Sequence, residues 1–147
     1  MEIVIGSDHG ATSLKDEVKK LLIELGHDVN DVGTFGEESV DYPDIAESIC
    51  AEVTSGRAKL GIALCGTGIG ISIAANKIKG IRCALCGDVF SAKMAREHND
   101  ANVLALGGRV LGYGLAGEIV RAFLSAEFQG GRHERRVGKI TAIESKN

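Results

Sequence analysis

A thiol followed at once by three glycines and a hydroxyl, Cys65-Gly66-Thr67-Gly68-Ile69-Gly70, is the stretch of this chain best equipped for chemistry. It lies between the apolar run Leu60 to Leu64, which reads as a buried strand, and Ile71 to Lys77, which reads as a helix. Glycines at such a junction let successive backbone N–H groups converge on an anion, and the helix N-terminus adds the positive end of its dipole. A cysteine beside such a nest can be held as a reactive thiolate. The loop thus offers a base or nucleophile together with an anion hole. Its glycine spacing does not fit a dinucleotide fingerprint, because the third glycine comes one residue early and the loop follows the third strand rather than the first. It also lacks the GK[ST] ending of a P-loop, so neither NAD nor ATP is supported.

Further polar residues fall at comparable places. Asp8-His9-Gly10 follows the first predicted strand, and Arg109, preceded by Gly107 and Gly108, follows the fifth. His98, in Arg96-Glu97-His98-Asn99-Asp100, ends a predicted helix, and an imidazole there suits a general acid or base. Arg132 and Arg136 stand four apart and share one helix face, where two guanidinium forks suit a phosphate or carboxylate. Each has a plainer reading. Asp8 can be a helix cap, His98 a cation at a helix C-terminus, the glycines a tight turn, and the arginines a solvated basic face. Three strand-end clusters of matching chemistry make a site far better founded than any one of them alone.

The elements that must position these residues alternate regularly. Strands are predicted at Glu2 to Gly6, His27 to Val32, Leu60 to Leu64, Ile81 to Cys86 and Asn102 to Leu106. Helices are predicted at Ser13 to Leu25, Asp44 to Ser55, from the glycine loop to Ile78, Val89 to His98, Leu111 to Leu124, and His133 to Lys146. Leu14, Val18, Leu21, Leu22 and Leu25 recur at helical spacing before Gly26, the pattern of an amphipathic helix with its stop signal. Strands separated by helices imply an α/β fold, a three-layer αβα Rossmann-like sandwich around a five-stranded parallel sheet. A strand order of 2-1-3-4-5 is expected. Ligands bind such sheets beyond the C-terminal strand ends, so Asp8, His9 and Cys65 would face one another at the switch between strands one and three. Residues 1–147 read as a single domain, with 129–147 as a C-terminal arm beginning at Gln129-Gly130-Gly131. The arm needs somewhere to bury Ile140 and Ile143, and a neighbouring subunit is the expected place.

Composition narrows the function classes. Seventeen Lys+Arg against twenty Asp+Glu give a net charge of −3, which argues against broad nucleic-acid binding. Aromatics make up only 4% and Trp is absent, so base-stacking platforms are not expected. No apolar run approaches the ~20 residues of a membrane span. The chain opens directly on a strand with no basic, apolar leader, and a cytoplasmic protein with reduced thiols is expected. Cys83 and Cys86 form a CxxC, but inside a predicted strand they face opposite sides and cannot easily share an ion. No metal is expected.

The motifs resemble those of a known family. Gly6-Ser7-Asp8-His9-Gly10, Val40-Asp41-Tyr42-Pro43-Asp44, Cys65 to Lys77, Glu97 to Gly107 and Phe128-Gln129-Gly130-Gly131-Arg132-His133 together look like the sugar-phosphate isomerases that include ribose-5-phosphate isomerase B and the galactose-6-phosphate isomerase subunits. The resemblance spans essentially the whole chain. It implies interconversion of D-ribose 5-phosphate and D-ribulose 5-phosphate in the non-oxidative pentose phosphate pathway, without metal or organic cofactor. Some members carry glutamate at position 65; Cys65 places this chain with the branch that uses a cysteine base. By resemblance, Cys65 moves the proton between C1 and C2, and the loop from Gly66 through Thr67, Gly68 and Ile69 to Gly70 holds the enediolate. Thr67 assists transfer between the oxygens. His98 is the acid in ring opening, with Asp8 near the ring hydroxyls and Asn99 on the sugar. His9, Arg109, Arg132 and Arg136 form the phosphate clamp. His98 and the arm arginines would come from the neighbouring subunit, which implies a homodimer with shared sites and allows a tetramer. The alternatives are an isomerase of a six-carbon sugar phosphate, such as allose or galactose 6-phosphate, a non-catalytic sugar-phosphate-binding module, and a thiol redox protein built on Cys83 and Cys86.

Overall fold

A computed structural model describes residues 1–147. The strands are β1 (Glu2–Ser7), β2 (Asp28–Asp31), β3 (Leu60–Cys65), β4 (Cys83–Leu85) and β5 (Val103–Gly107). The helices are α1 (Thr12–Glu24), α2 (Tyr42–Thr54), α3 (Ile69–Ala75), α4 (Val89–Glu97), α5 (Tyr113–Ser125) and α6 (Arg132–Glu144), with a short 3-10 turn at His9–Ala11 before α1. All strand pairings are parallel. The chain is therefore the αβα sandwich expected, with several boundaries moved by one to three residues.

The strand order is 2-1-3-5-4, which corrects the expected 2-1-3-4-5. The physical reason is visible in the two strands. Val103–Gly107 is buried along its whole length, as a central strand must be. The Ile81 to Cys86 segment contributes only Cys83–Leu85 to the ladder, half-buried and then exposed, which suits an edge. The chain therefore passes from β3 over one strand position to β4 and returns through α4 to insert β5 between them. A right-handed crossover that reverses direction places its helix on the opposite face. Accordingly α3 packs on the same face as α2, and α4 joins α1 and α5 on the other.

Two apolar layers result. Leu14, Val18 and Leu22 of α1 and Ala116, Ile119, Val120 and Phe123 of α5 bury against Ile3, Ile5, Ile62 and Leu104. Ala46, Ile49 and Cys50 of α2 and Ile71 and Ala75 of α3 bury against Val4, Ala63, Cys65 and Val103. Strand alternation thus puts Cys65 on the α2–α3 face. Gly26 and Gly56 adopt φ of +86° and +82° just beyond α1 and α2, the left-handed cap that ends a helix. No helix is long and apolar enough to cross a membrane.

The C-terminal helix docks on its own chain at both ends. Gln129 N–H donates to the Glu97 carbonyl at 3.0 Å, and Gly80 N–H donates to Glu144 Oε1 at 3.1 Å. Ile140 and Ile143 nevertheless stay 48% and 61% exposed. This chain by itself does not bury the apolar residues of the arm.

Candidate active site

Three loops meet at the C-terminal ends of β1, β3 and β5. Asp8 leaves β1 with its N–H donating to the Leu64 carbonyl at 3.1 Å, and its Oδ1 accepts from Gly10 N–H at 2.9 Å. Asp8 does cap the turn that follows, and that turn lies against the glycine loop: a Cβ on Gly10 would lie 3.2 Å from Asp8 Oδ1 and 3.3 Å from Gly66 Cα. From the other side, Gly108 N–H donates to the Cys65 carbonyl and Arg109 N–H to the Gly66 carbonyl, both at 2.9 Å. A Cβ on Gly66 would sit 3.2 Å from the Arg109 guanidinium. The corrected strand order explains this contact, since β5 pairs directly with β3 and Gly107 lies opposite Cys65. With β4 interposed, Arg109 would stand one strand farther away.

The Cys65 thiol is 5% exposed, and its sulfur accepts the Gly68 N–H at 3.2 Å. Gly68 can make that bond only as glycine. Its φ is +79°, and a Cβ there would come within 2.6 Å of Leu85 Cδ1 and 2.9 Å of the Leu106 carbonyl carbon. Thr67 Oγ1 accepts from Ile69 N–H at 3.2 Å, which leaves its own proton free to donate. The N–H groups of Gly66, Thr67 and Gly70 donate to no other group of the chain. The Gly68 N–H fixes the sulfur beside unpaired N–H groups that can receive an oxyanion. The other thiols lie outside this loop. Burial pushes Cys50 and Cys86 up to about 11 and Cys83 up to about 12. Cys83 packs against one core layer and Cys86 belongs to the other, so the CxxC pair is divided by the sheet.

His9 accepts the Val40 N–H on Nδ1 at 3.2 Å, so Nε2 carries the proton of the neutral ring and is a donor. His9, Arg109, Tyr113 and Glu37 line a cavity of about 450 Å³ over the N-terminus of α1. One residue was overlooked in the sequence. Tyr42, the first residue of α2, lays its ring over Gly70, where a Cβ would fall 2.6 Å from the phenol carbon and 3.0 Å from the hydroxyl. Its place just ahead of Pro43, at the start of the helix that follows β2, is the signal that could have found it.

The remaining candidates form a second group at the other end of the sheet. His98 caps the C-terminus of α4, its N–H on the Met94 carbonyl at 2.8 Å, and its ring stacks on His133 with centroids 4.0 Å apart. Helix α4 runs back from the end of β4 to the start of β5, so His98 and Asn99 lie before Val103. Cys65 is level with Gly107, about 13 Å farther along the strand direction at ~3.3 Å per residue. Arg132 and Arg136 sit one turn apart on α6, which starts beside His98. Arg82 Nε donates to the Asn99 carbonyl at 3.2 Å, while Arg96 and Arg82 both pair with Asp100, itself at φ +48°. Burial, then the charges of His98, Arg132 and Arg136, hold His133 below the ordinary histidine range. Thus Asp8, His9, Cys65 to Gly70 and Arg109 are brought together, while His98, Asn99, Arg132 and Arg136 are gathered elsewhere. No group of three His, Cys, Asp or Glu side chains is placed to hold a metal ion.

The model of the Ribose/Galactose Isomerase family matches residues 3–140. The chain belongs to the ribose/galactose isomerase family. It is 49% identical to ribose-5-phosphate isomerase B of Escherichia coli over 99% of this chain and 97% of that protein. It is 45% identical to a D-erythrulose-4-phosphate isomerase of Pectobacterium atrosepticum over 98% of this chain and 95% of that one. The solved structure of Clostridium thermocellum ribose-5-phosphate isomerase B superposes with a TM-score of 0.98 at 57% identity, covering 99% of each chain. The family resemblance seen in the motifs is therefore established, along with the fold.

Proposed function

We propose that this isomerase interconverts D-ribose 5-phosphate and D-ribulose 5-phosphate through a cis-enediolate, in the non-oxidative pentose phosphate pathway, with Cys65 as the base. The observation that carries the reading is the Cys65 sulfur, hydrogen-bonded by Gly68 N–H and flanked by the unpaired N–H groups of Gly66, Thr67 and Gly70. His98 protonates the ring oxygen while the Asp8 carboxylate takes the proton of the anomeric hydroxyl, so that the furanose opens to the C1 aldehyde, with Asn99 on the remaining hydroxyls. The Cys65 thiolate removes the C2 proton. The loop N–H groups receive the enediolate oxygen as its charge develops, which lowers the barrier more than it tightens ground-state binding. Thr67 passes a proton between the two oxygens, and Cys65 returns its proton to C1. His9 Nε2–H, Arg109, Arg132 and Arg136 hold the phosphate.

The separation of Cys65 from His98 within one chain supports a site built from two chains. In a two-fold dimer the His98–Arg132–Arg136 end of one subunit meets the Cys65 end of the other, and the exposed Ile140 and Ile143 gain cover. A homodimer is the smallest assembly that completes the site, and a tetramer would be two such dimers.

Replacing the thiol tests the assignment. Cys65→Ala should lower turnover by ~10²–10⁴-fold, the usual worth of a general base, while ribose 5-phosphate still binds. Near-normal turnover would remove Cys65 from the role. A second reading concerns sugar length. The family description covers ribose and galactose isomerases, and a relative 45% identical is named for a four-carbon sugar phosphate. Comparing kcat/KM for ribose 5-phosphate and allose 6-phosphate decides it; a preference for the six-carbon sugar would replace the substrate without changing the mechanism.

A further inference from the structure

We infer that Lys15 is a positioning residue for phosphate recognition, acting through the loop between β2 and α2 on the His9 ring. The inference rests on the reading of His9 as a phosphate ligand. Lys15 lies on the buried stripe of α1 between Leu14 and Val18, and it is 1% exposed. Burying an ammonium is unfavourable unless it is fully paired, and an apolar side chain of similar length in its place is often neutral or better for stability. A cation at this position therefore calls for a purpose other than core packing.

Its contacts supply one. Lys15 Nζ donates to Asp31 Oδ1 at 2.9 Å and to the Thr34 carbonyl at 2.7 Å, and the Phe35 ring covers it with the centroid 4.4 Å away. Asp31 Oδ1 also accepts the Gly33 N–H at 2.9 Å. The same stretch is stitched to β1, with Ser7 N–H on the Gly33 carbonyl at 2.7 Å and Thr34 N–H on the Ser7 carbonyl at 2.6 Å. The lysine thus ties the start of an otherwise irregular loop to α1, the helix that follows His9. Six residues beyond Thr34, Val40 N–H donates to His9 Nδ1 and so dictates which ring nitrogen carries the proton. With the loop pinned, the ring keeps Nε2–H as its free donor, and His9 lines the same cavity as Arg109. Without the pin, the Val40 donor wanders and the ring samples the tautomer whose Nε2 is an acceptor, which repels phosphate oxygen.

The decisive experiment is a double-mutant cycle read by competitive inhibition with inorganic phosphate and by the separate kcat and KM for ribose 5-phosphate. Lys15→Met should raise the phosphate inhibition constant and KM about tenfold, the worth of a charge-assisted hydrogen bond, with a smaller change in kcat. In a His9→Ala background the same substitution should add less than about twofold, because the ring through which it acts is gone. An equal rise in both backgrounds, or a fall in kcat with KM unchanged, overturns the inference. If His9→Ala alone leaves phosphate inhibition unchanged, the His9 reading itself fails and the inference with it. Phe35 is 76% exposed, so Phe35→Ala tests the same link in a variant whose folding is not at risk. It should raise KM about two- to threefold, and only when His9 is present; no rise, or one independent of His9, overturns the inference.

Discussion

The two ends of the sheet hold their polar residues by different means. At the carboxyl end, backbone holds the site: Gly108 and Arg109 N–H groups clip the Cys65 and Gly66 carbonyls, and Gly68 N–H meets the sulfur. At the amino end, side chains hold one another, through the His98–His133 stack, the Arg82–Asp100–Arg96 cluster and the Gln129–Glu97 pair. The first arrangement is rigid and presents unpaired donors at fixed places, as stabilisation of a developing oxyanion requires. The second is an assembly of cations around a turn, suited to binding a dianion that is equally charged before, during and after reaction. On the proposed reading the proton transfer belongs to the carboxyl end, where His9 and Arg109 also meet the phosphate, and the amino end supplies the ring-opening acid and the remaining phosphate contacts.

Substitutions can break this division, beginning with the largest expected effect. Gly68→Ala forces a Cβ into Leu85 and the Leu106 carbonyl carbon at a left-handed φ. It should lower kcat by ~10²–10³-fold by displacing the donor on the sulfur. It should also cost ~2–3 kcal/mol in a denaturant titration. Retained turnover would mean that the loop is not the preorganised part. Arg136→Ala should instead raise KM roughly tenfold with kcat nearly unchanged, since phosphate contacts are shared by ground and transition states. A collapse of kcat at constant KM would move the chemistry toward the amino end.

The smallest effect concerns acid sensitivity. His133 is held below its ordinary value, so the unfolded chain takes up a proton near pH ~6.5 that the folded chain refuses. Stability associated with His133 is present above that pH and is lost as the pH falls below it. His133→Gln should flatten part of the decline in melting temperature between neutral and mildly acidic pH. His27, depressed mainly by burial, keeps its share of that decline. An unchanged pH profile would show that the stacked pair is not under this strain.

Much of the carboxyl end was legible in the sequence because a thiol joined to a run of glycines just after an apolar strand is a distinctive signal. The motifs around Asp8 and Cys65 needed only the α/β rule to be brought together, whereas Arg109 also needed β5 to lie beside β3. The order of β4 and β5 was not legible, since it depends on which strand is buried along its whole length, and Ile81 to Cys86 is as apolar on paper as Asn102 to Leu106. Lys15 was invisible for the opposite reason. A lysine beside a leucine on a helix reads as the edge of the solvent face, and its burial is made tolerable by partners sixteen and more residues on, Asp31, the Thr34 carbonyl and the Phe35 ring. Tyr42 stands in a family motif but gains no place at the site from the sequence, because its contact is with Gly70, with which it shares no local pattern.

The central claim is that the two ends belong to one site built from two chains. It is tested most directly by mixing a Cys65→Ala chain with an Arg136→Ala chain under conditions of confirmed subunit exchange, at ribose 5-phosphate well below the wild-type KM. Half of a random population of dimers is mixed, and each mixed dimer holds one site in which both residues are intact. Activity should therefore rise to about a quarter of wild type. Activity no higher than the mean of the two parent variants would contradict the account.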